Sequence, residues 1–407
     1  MAIDTNKILK ETEEKLKNRF SKIDEISFKN QKKVLNAFIE LKVSSQCFAG
    51  TTGYGYSDVG RDTLASVYAK VFGGEKAIVS PLLTCGTHAI STVLYGLLKN
   101  GDVMLSVTGL PYDTLHETLF GKNNSSLEDY GVKYEQIDLI GNGEFDYDKI
   151  YKKVKKMKPA MVYLQRSRGY SSRKAISPYD MKELFENVKK ISPQTKIVVD
   201  NCYGEFVDDI EPTNVGADVI VGSLIKNPGG GLAPTGGYIV GSEEAIDMIS
   251  ARYTNPSLKL EIGSFEQGYR LFYQGLFMAP HTVAQALKGT ALVGQIMEDK
   301  GYKVIPSNDE QPEDIVKSVI FNTADELIKF VQTVQAVSPI DGYVLPIPWD
   351  MPGYTDQVIM AAGTFVGGSS IELSCDSPIR APYIAYFQGG LTYEHVKTFA
   401  EKLIELY

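Results

Sequence analysis

The sequence predicts an α/β protein: a largely parallel sheet with helices on both faces, followed by a smaller α+β domain. Short apolar segments recur between Ala77 and Gly241, and helical patterns separate several of them. Strands that alternate with helices are typical of βαβ units and therefore of parallel sheets. The chain has 407 residues, which is enough for two or three domains.

The strand candidates justify this prediction in chain order. They are AIVS, DVMLSV, VKYEQIDL, MVYLQR, KIVVDN, VIVGSL and GGYIVG. The helical patterns between them include HAISTVLYGLLK and PYDMKELFENVKK, in which apolar residues recur at helical spacing. This part of the chain, residues 53–290, is the predicted large domain.

Helical patterns flank the predicted sheet. From about Lys7 to Lys42 apolar residues recur at helical spacing, which predicts an N-terminal helical segment over residues 1–52. From about His281 a second helix leads out of the large domain. The small C-terminal domain, residues 291–407, has one helical pattern, ADELIKFVQTVQAV, among the strand candidates SVIFNT, QVIMAAGTFV, SIELSCD and APYIAYFQG.

Composition excludes several classes of protein. The net charge of −8 disfavours a general nucleic-acid surface. The N-terminus lacks the apolar core of a signal peptide, and the apolar runs are too short to span a membrane. The four cysteines are scattered and form no metal-binding spacing with the four histidines. We therefore expect a cytoplasmic protein without a structural metal, in a reducing compartment.

A candidate phosphate site follows the first strand, where TCGTHAI opens a helix. In a doubly wound sheet, ligands bind beyond the carboxyl ends of the strands. Gly86 allows a ligand to approach the backbone, Thr87 offers a hydroxyl, and the first turn of a helix has free N–H groups that bind anions. The alternative is an ordinary helix cap.

Two charged residues follow two successive strands. KIVVDN ends with Asp200 and Asn201, and a buried carboxylate at this position is costly without a partner; a helix cap or an internal salt bridge is the alternative. Lys226 follows VIVGSLI, three residues after Ser223 and before a glycine-rich tract. Taken alone, Lys226 would be a surface cation. Enclosed, it would pair with an anion or have a lowered pKa, which makes a lysine nucleophilic.

Together these features form the set that binds pyridoxal phosphate. Lys226 would attach the cofactor covalently, Asp200 would hold a proton on the pyridine nitrogen, and the helix N-terminus would take the phosphate. We also expect the released Lys226 to act as the base that removes the substrate Cα proton, because a dry, cationic setting lowers the pKa of a lysine.

The chain resembles the fold-type I pyridoxal-phosphate enzymes, and within them the cystathionine β-lyase and methionine γ-lyase group of cysteine and methionine metabolism. More closely, it resembles the aluminium-resistance branch. The matching stretches, from Gly53 to Lys397, are GYGYSDVGRDTLASVYAKVFG, CGTHAI, YLQRSRGYSSR, VDNCYGEF, GSLIKNPGGGLAPTGGYI, LFMAPHTVAQALKGT and APYIAYFQGGLTYEHVK. The resemblance implies an aspartate aminotransferase-type large domain with a mostly parallel seven-stranded sheet.

The resemblance also implies roles for individual residues. Lys226 matches the cofactor-binding lysine and Asp200 the partner of the pyridine nitrogen. The phosphate-binding residues would be Gly86, Thr87 and Ser223. Tyr112 lies where the lyase group places the aromatic ring that stacks on the cofactor; core packing is the alternative for this tyrosine.

A site shared between subunits is a further implication. Tyr56 and Arg61 match the pair that, in the lyase group, reaches the cofactor phosphate of the neighbouring subunit, so we expect a homodimer or homotetramer. In this sequence YSDVGR places the arginine later than the family's Tyr-Ser-Arg does, which weakens the match of Arg61. A mobile, solvated glycine loop is the alternative for both residues.

The sequence departs from the family pattern near the predicted cofactor. Ile225 precedes the lysine where a hydroxyl residue is common, and RSRGY replaces the usual Asn-Pro after MVYLQ. Arg166, Arg168 and Arg173 bring positive charge to this loop. They would meet an acidic substrate group or face water, and the sequence favours neither alternative.

The expected reaction is carbon–sulfur cleavage of a sulfur amino acid, by β- or γ-elimination, to give a thiol, ammonia and a keto acid. Arg380, in CDSPIRAPY, is the predicted partner of the substrate α-carboxylate; surface exposure is the alternative. Other chemistry on the same fold, such as transamination or aldol cleavage, and a non-catalytic cofactor-binding protein linked to metal resistance remain alternatives. Direct aluminium binding is disfavoured, because acidic pairs such as Asp208–Asp209 are short and are expected to be solvated turns.

Overall fold

The computed structural model describes residues 4–122, 125–141, 143–351 and 354–407. Among these residues, no helix combines the length and the apolar character needed to span a membrane. The helices are α1 (Thr5–Glu40), α2 (Val59–Val71), α3 (Gly86–Leu97), α4 (His116–Phe120), α5 (Tyr147–Met157), α6 (Pro178–Ile191), α7 (Glu243–Tyr253), α8 (Arg270–Asp299), α9 (Ala324–Gln335) and α10 (Tyr393–Leu406). The strands are β1 (Lys76–Ser80), β2 (Val103–Ser106), β3 (Lys133–Gln136), β4 (Met161–Gln165), β5 (Lys196–Asp200), β6 (Val219–Ser223), β7 (Gly237–Gly241), β8 (Lys303–Ile305), β9 (Val316–Phe321), β10 (Val358–Ala361), β11 (Ser374–Pro378) and β12 (Tyr383–Gln388).

The larger sheet has seven strands in the order β1-β7-β6-β5-β4-β2-β3. Neighbouring strands from β3 to β6 are parallel, whereas β7 runs antiparallel to both β6 and β1. Strands β4, β6 and β7 are buried along their whole length, as expected where helices cover both faces. The predicted α/β fold with a mostly parallel seven-stranded sheet is confirmed.

The register of the central strands sets the position of the site. Gln165 at the end of β4 is paired with Asp200 at the end of β5, and Asp200 is paired with Val221 of β6. Parallel strands end at the same edge of a sheet, so Gln165, Asp200 and Ser223 lie along one edge. This carboxyl edge is where doubly wound sheets bind ligands.

The smaller sheet is antiparallel throughout, in the order β10-β11-β12-β9-β8. Helices α9 and α10 pack on it through a core that includes Phe330, Phe387 and Phe399, and the rings of the last two stack with centroids 5.3 Å apart. The predicted smaller α+β domain is confirmed. Strand β8 was not predicted, because three residues are too few for a periodic signal.

Helix α8 begins at Arg270, well before the predicted start near His281. The helix carries Pro280 in its interior. Proline lacks the N–H that an interior helical position uses and usually marks a helix boundary. The start predicted near His281 is wrong: in the structure the helix continues through Pro280, where tertiary packing supports it.

Helices α8 and α1 each pack in the cores of both sheets. In α8, Val283 lies in the core of the larger sheet and Leu292 in that of the smaller. In α1, Leu16 packs in the core of the smaller sheet and Val34 in that of the larger. The predicted domain boundary at 290–291 falls inside α8, and the predicted N-terminal segment packs against both cores.

Candidate active site

A cavity of about 450 Å³ lies at the carboxyl edge of the larger sheet, and residues of the smaller sheet close its other side. The structure brings most of the predicted site residues to this cavity. Those that line it are Gly86, Thr87, Tyr112, Asp200, Ser223, Lys226 and Arg380. The structure does not place Tyr56 and Arg61 on its lining.

The start of α3 forms one wall of the cavity. Cys85 is the N-cap, and its sulfur accepts a hydrogen bond from the His88 N–H at 3.4 Å. Within the described chain, the N–H groups of Gly86 and Thr87 donate to no acceptor, so they are free to bind an anion. A Cβ on Gly86 would lie 3.3 Å from the Ser223 Cβ. Glycine therefore keeps open the space between α3 and β6.

Asp200 ends β5 and is only 2% exposed. Its carboxylate accepts one hydrogen bond from the described residues, donated by the Cys202 N–H at 3.1 Å. Burial raises the pKa of Asp200, and the positive charge of Lys226 partly offsets this shift. A buried carboxylate with a single hydrogen bond is costly. Asp200 therefore suits a ligand that brings a positively charged N–H to this position.

Lys226 follows β6 and is partly buried at the cavity. Its Nζ lies 4.1 Å from the centroid of the Tyr203 ring. Burial lowers the pKa of Lys226, but the acidic groups of Cys202, Tyr203 and Asp200 raise it, and the net shift is upward. The expectation of a lowered pKa is therefore wrong for the chain itself, because Lys226 lies among acidic groups and not in a cationic setting.

Tyr112 is held in place by two hydrogen bonds. Its hydroxyl lies 2.9 Å from the Thr87 Oγ1, and its backbone N–H donates to the Gln165 Oε1 at 2.8 Å. Burial raises the pKa of Tyr112, so the phenol is neutral at physiological pH. One side of the residue packs on the apolar core of the larger sheet, and the ring also lines the cavity. Core packing and a place in the site are thus compatible.

Arg380 lies just after β11 at the cavity, with 50% of its side chain exposed. Its Nη1 donates to the Asp356 Oδ2 at 2.9 Å. Ion pairs that are open to solvent contribute little free energy, so Arg380 can exchange this partner for another carboxylate at small cost. Its predicted contact with a substrate carboxylate stays a prediction.

Tyr56 and Arg61 have different surroundings. The Tyr56 side chain is 56% exposed, and its ring stacks on Tyr54 with centroids 5.4 Å apart. Arg61 lies in the first turn of α2 and is buried; its Nη1 donates to the Gly55 carbonyl at 3.0 Å, and its Nε pairs with Asp62 at 2.9 Å. Arg61 is thus held within its own chain. The predicted contact of these two residues with a neighbouring subunit stays a prediction.

Arg166 fits neither alternative that the sequence left open. Its guanidinium is fully buried and pairs with Asp208 at 3.0 Å and with Glu211 at 3.7 Å. It therefore contacts neither solvent nor the cavity. The predicted solvated turn at Asp208–Asp209 is wrong for Asp208, which is buried by this ion pair.

The other two arginines of this loop are also satisfied by the protein. Arg168 is buried and pairs with Asp314 at 2.9 Å, although part of it lines the cavity. Arg173 donates to the carbonyl groups of Lys174 at 2.8 Å and Gln165 at 3.0 Å, and burial lowers the pKa of Arg173 to about 10. These arginines hold the loop after β4 in place.

Several residues of the cavity were not predicted. Tyr203 has a left-handed backbone, with φ 71°, which non-glycine residues adopt mainly at turns and functional sites. Asp376 of β11 accepts a hydrogen bond from the Tyr170 hydroxyl, and burial raises the pKa of Asp376 to about 6. Tyr203 lies within the motif VDNCYGEF, so it could have been predicted from the sequence. Asp376 comes from the other sheet, and no local pattern marks it.

The residues at the cavity fit pyridoxal phosphate. The N–H groups of Gly86 and Thr87 and the Ser223 hydroxyl are donors suited to a phosphate, beside a space that a Cβ would fill. Asp200 is a buried carboxylate suited to a protonated pyridine nitrogen. Lys226 supplies the amine at the same cavity. A phosphate site, an acid and an amine are the groups that this cofactor requires.

Sequence comparison shows close relatives. The chain is 48% identical over 378 residues to the uncharacterized protein YnbB of Bacillus subtilis (strain 168), covering 92% of this chain and 90% of YnbB. A crystal structure from Listeria monocytogenes, provisionally named a cystathionine beta-lyase involved in aluminum resistance, is 47% identical, with a TM-score of 0.96 over 98% of this chain and 99% of that one. A carbon-sulfur lyase involved in aluminum resistance, from Clostridium novyi NT, is 46% identical, with a TM-score of 0.94 over 99% of this chain and 96% of that one.

More distant structures share the fold alone. The pyridoxal-5'-phosphate dependent protein YhfS from Escherichia coli has a TM-score of 0.62 at 17% identity, over 95% of this chain and 97% of that one. Its name agrees with the fold type that the sequence predicts.

The family described as methionine gamma-lyase matches residues 5–406, which is nearly the whole chain. The chain belongs to the methionine gamma-lyase family.

Proposed function

We propose that the protein is a pyridoxal-phosphate-dependent carbon–sulfur lyase that acts on sulfur amino acids by β- or γ-elimination. The products would be a thiol, ammonia and a keto acid. The observation that carries this proposal is the convergence of Lys226, Asp200 and the start of α3 on one cavity of about 450 Å³. The family and the names of the close structural relatives support it.

The residues of the larger sheet would hold the cofactor. When bound, pyridoxal phosphate withdraws electrons from the substrate Cα and so weakens the bond to its proton. The N–H groups of Gly86 and Thr87 would bind the phosphate, and the Asp200 carboxylate would hold a proton on the pyridine nitrogen. The Lys226 Nζ would attach the cofactor covalently, and Tyr112 would pack against its ring.

Arg380 and Lys226 would act on the substrate itself. Arg380 would bind the α-carboxylate and so fix the orientation of Cα. The free Lys226 Nζ would accept the Cα proton. The C–S bond would then break with its electron pair going to sulfur, which would leave as the thiol with the proton that Lys226 had taken up, and water would release ammonia and the keto acid. The upward shift in the pKa of Lys226 means that its amine must lose a proton before it acts as a base.

A product assay tests the proposal. The protein loaded with pyridoxal phosphate is incubated with S-methyl-L-cysteine and with L-methionine. Release of thiol together with pyruvate from the first substrate, or with 2-oxobutyrate from the second, is the expected result. In Lys226→Ala we expect the rate to fall by at least about 10²-fold, because a positioned base contributes that much.

The control is Lys182→Ala, which removes an exposed lysine on α6 and should keep the parent rate. Full lyase activity in Lys226→Ala would contradict the proposal. Products without a free thiol would also contradict it, and conversion of the cofactor to its amine form would indicate transamination.

A further inference from the structure

Asp376 lies in a cluster of tyrosines on the wall of the cavity that the smaller sheet forms. On the adjacent strand, Tyr386 is directly opposite Asp376, so both side chains project from the same face of the sheet. The Tyr170 ring lies 5.1 Å from the ring of Tyr386 and 5.7 Å from that of Tyr354, measured between centroids. All four residues line the cavity.

This carboxylate has no ion-pair partner within the described chain. The two arginines that line the same cavity are paired elsewhere, Arg168 with Asp314 and Arg380 with Asp356. The positive charge of Lys226 lowers the pKa of Asp376, but these two side chains form no ion pair. The polar contacts of Asp376 are the Tyr170 hydroxyl and a long one, 3.4 Å, from Gln388.

The charge state of Asp376 follows from its surroundings. Burial raises the pKa of Asp376 to about 6, which is still below neutral pH. The group is therefore mostly ionised at pH 7. Asp376 is half-buried at the cavity, and an ionised carboxylate partly removed from water without a cation is unfavourable, so the site suits a ligand that supplies one.

A carboxylate among aromatic rings is the arrangement that recognises an organic ammonium group. The carboxylate supplies a charge-assisted hydrogen bond, and the ring faces attract the cation. On the proposed function, Arg380 takes the α-carboxylate and the cofactor takes the α-amine. Asp376 is then available to bind the part of the substrate that lies beyond the sulfur atom.

We propose that Asp376, with Tyr170, Tyr354 and Tyr386, binds an ammonium group on the leaving thiol of the substrate. The preferred substrates are then cysteine thioethers whose sulfur substituent carries a primary amine. This inference rests on the proposed lyase function for the chemistry, although the binding preference itself does not depend on turnover.

Two thioethers of matched length test the inference. S-(2-aminoethyl)-L-cysteine carries an ammonium group where S-propyl-L-cysteine carries a methyl group. We expect kcat/KM to be higher for the amine by at least about tenfold, the effect of one charged hydrogen bond. In Asp376→Asn this ratio should fall by about the same factor. In Asp325→Asn, an exposed aspartate on α9, the ratio should equal that of the parent.

A binding measurement separates this inference from the proposed function. L-Lysine and L-2-aminoheptanoic acid have the same shapes as the two thioethers but no C–S bond. Calorimetry with the cofactor-loaded protein should show tighter binding of lysine by at least about tenfold, and Asp376→Asn should abolish the preference.

The outcomes are distinct. If neither thioether is cleaved but the lysine preference is present and depends on Asp376, the inference holds and the lyase function fails. If both thioethers are cleaved at similar kcat/KM and lysine is not preferred, the inference is overturned and the function stands. An equal loss for both thioethers in Asp376→Asn, with an unchanged ratio, also overturns it. If Asp376→Asn does not fold, the preference of the parent protein for the amine-bearing compounds still decides whether the inference holds.

Discussion

At the scale of single residues, Glu205 is a buried acid that the proposed chemistry does not use. It is fully buried, and its Oε1 accepts a hydrogen bond from the Tyr238 hydroxyl at 2.8 Å. Its Oε2 has no partner within the described chain, and the same holds for the Oδ1 of Asn227, the residue after Lys226. Burial raises the pKa of Glu205 to about 8 from its ordinary 4.5. Glu205 is therefore protonated at neutral pH.

This shift predicts a dependence of stability on pH. Between pH 4.5 and about 8 the folded protein holds the Glu205 proton while the unfolded chain has lost it, so stability falls as the pH rises through this range. Glu205→Gln resembles the protonated acid at every pH. The variant should therefore exceed the parent in the free energy of unfolding at pH 8 by roughly 1–3 kcal/mol, with little difference at pH 5.

Thermal unfolding of both proteins at pH 5, 6, 7 and 8 measures this effect. Glu128→Gln, at an exposed position, is the control and should follow the parent curve. A Glu205→Gln variant that keeps the parent pH dependence would show that Glu205 is ionised at neutral pH.

The sequence is informative about residues whose role shows in local pattern. Asp200 and Lys226 each follow a buried strand, and Gly86 opens a helix after a strand, so strand pattern alone placed all three at one edge. Asp376 and Glu205 carry no such signal, because their properties arise from burial and from neighbours distant in the chain. The raised pKa of Lys226 also depends on such neighbours, which explains why the direction predicted from the sequence was wrong.

At the scale of elements, the loop after β4 joins the two sheets. Arg168 of this loop pairs with Asp314 at 2.9 Å and donates to the Ile305 carbonyl, at the end of β8, at 2.7 Å. Both members of the ion pair are buried. The cavity lies between the two sheets, so this contact also fixes the distance between its walls.

Removal of one partner from this pair should be costly. Asp314→Ala leaves the Arg168 charge buried and unpaired, and we expect the free energy of unfolding to fall by about 3–5 kcal/mol. Asp299→Ala is the matched control, because Lys15 and Asp299 form an exposed pair at 2.9 Å between α1 and α8. Its cost should be below about 1 kcal/mol. Urea denaturation measures both; equal costs would contradict the role assigned to Arg168.

Element prediction succeeded where the periodic signal was long. The strands of the larger sheet and helix α1 follow clear apolar patterns. Strand β8 and the start of α8 do not, the first because it is short and the second because Pro280 lies inside the helix. For the arginines after β4 the sequence could not choose between a contact with an acidic substrate group and exposure to water, because their ion pairs with Asp208, Glu211 and Asp314 cannot be recognised without the tertiary fold.

At the scale of the whole molecule, the two sheets together make the site. The larger sheet supplies Lys226, Asp200 and the start of α3, and the smaller supplies Asp376 and Tyr386. The sequence predicted both domains and the groups for the cofactor. The sequence did not predict how the smaller sheet faces these groups, because the packing of the two sheets depends on the cores that α8 and α1 share.

The proposed function requires Lys226 to hold pyridoxal phosphate in this cavity. Reduction of the cofactor-loaded protein with borohydride, followed by digestion and mass spectrometry, tests it most directly. Lys317 is an internal control: it is buried outside the cavity, and burial lowers the pKa of Lys317 to about 7, a value at which a lysine amine is reactive where it is accessible. We expect a pyridoxyl group on the peptide that contains Lys226 and none on Lys317. A pyridoxyl group on another lysine, with Lys226 unmodified, would contradict it.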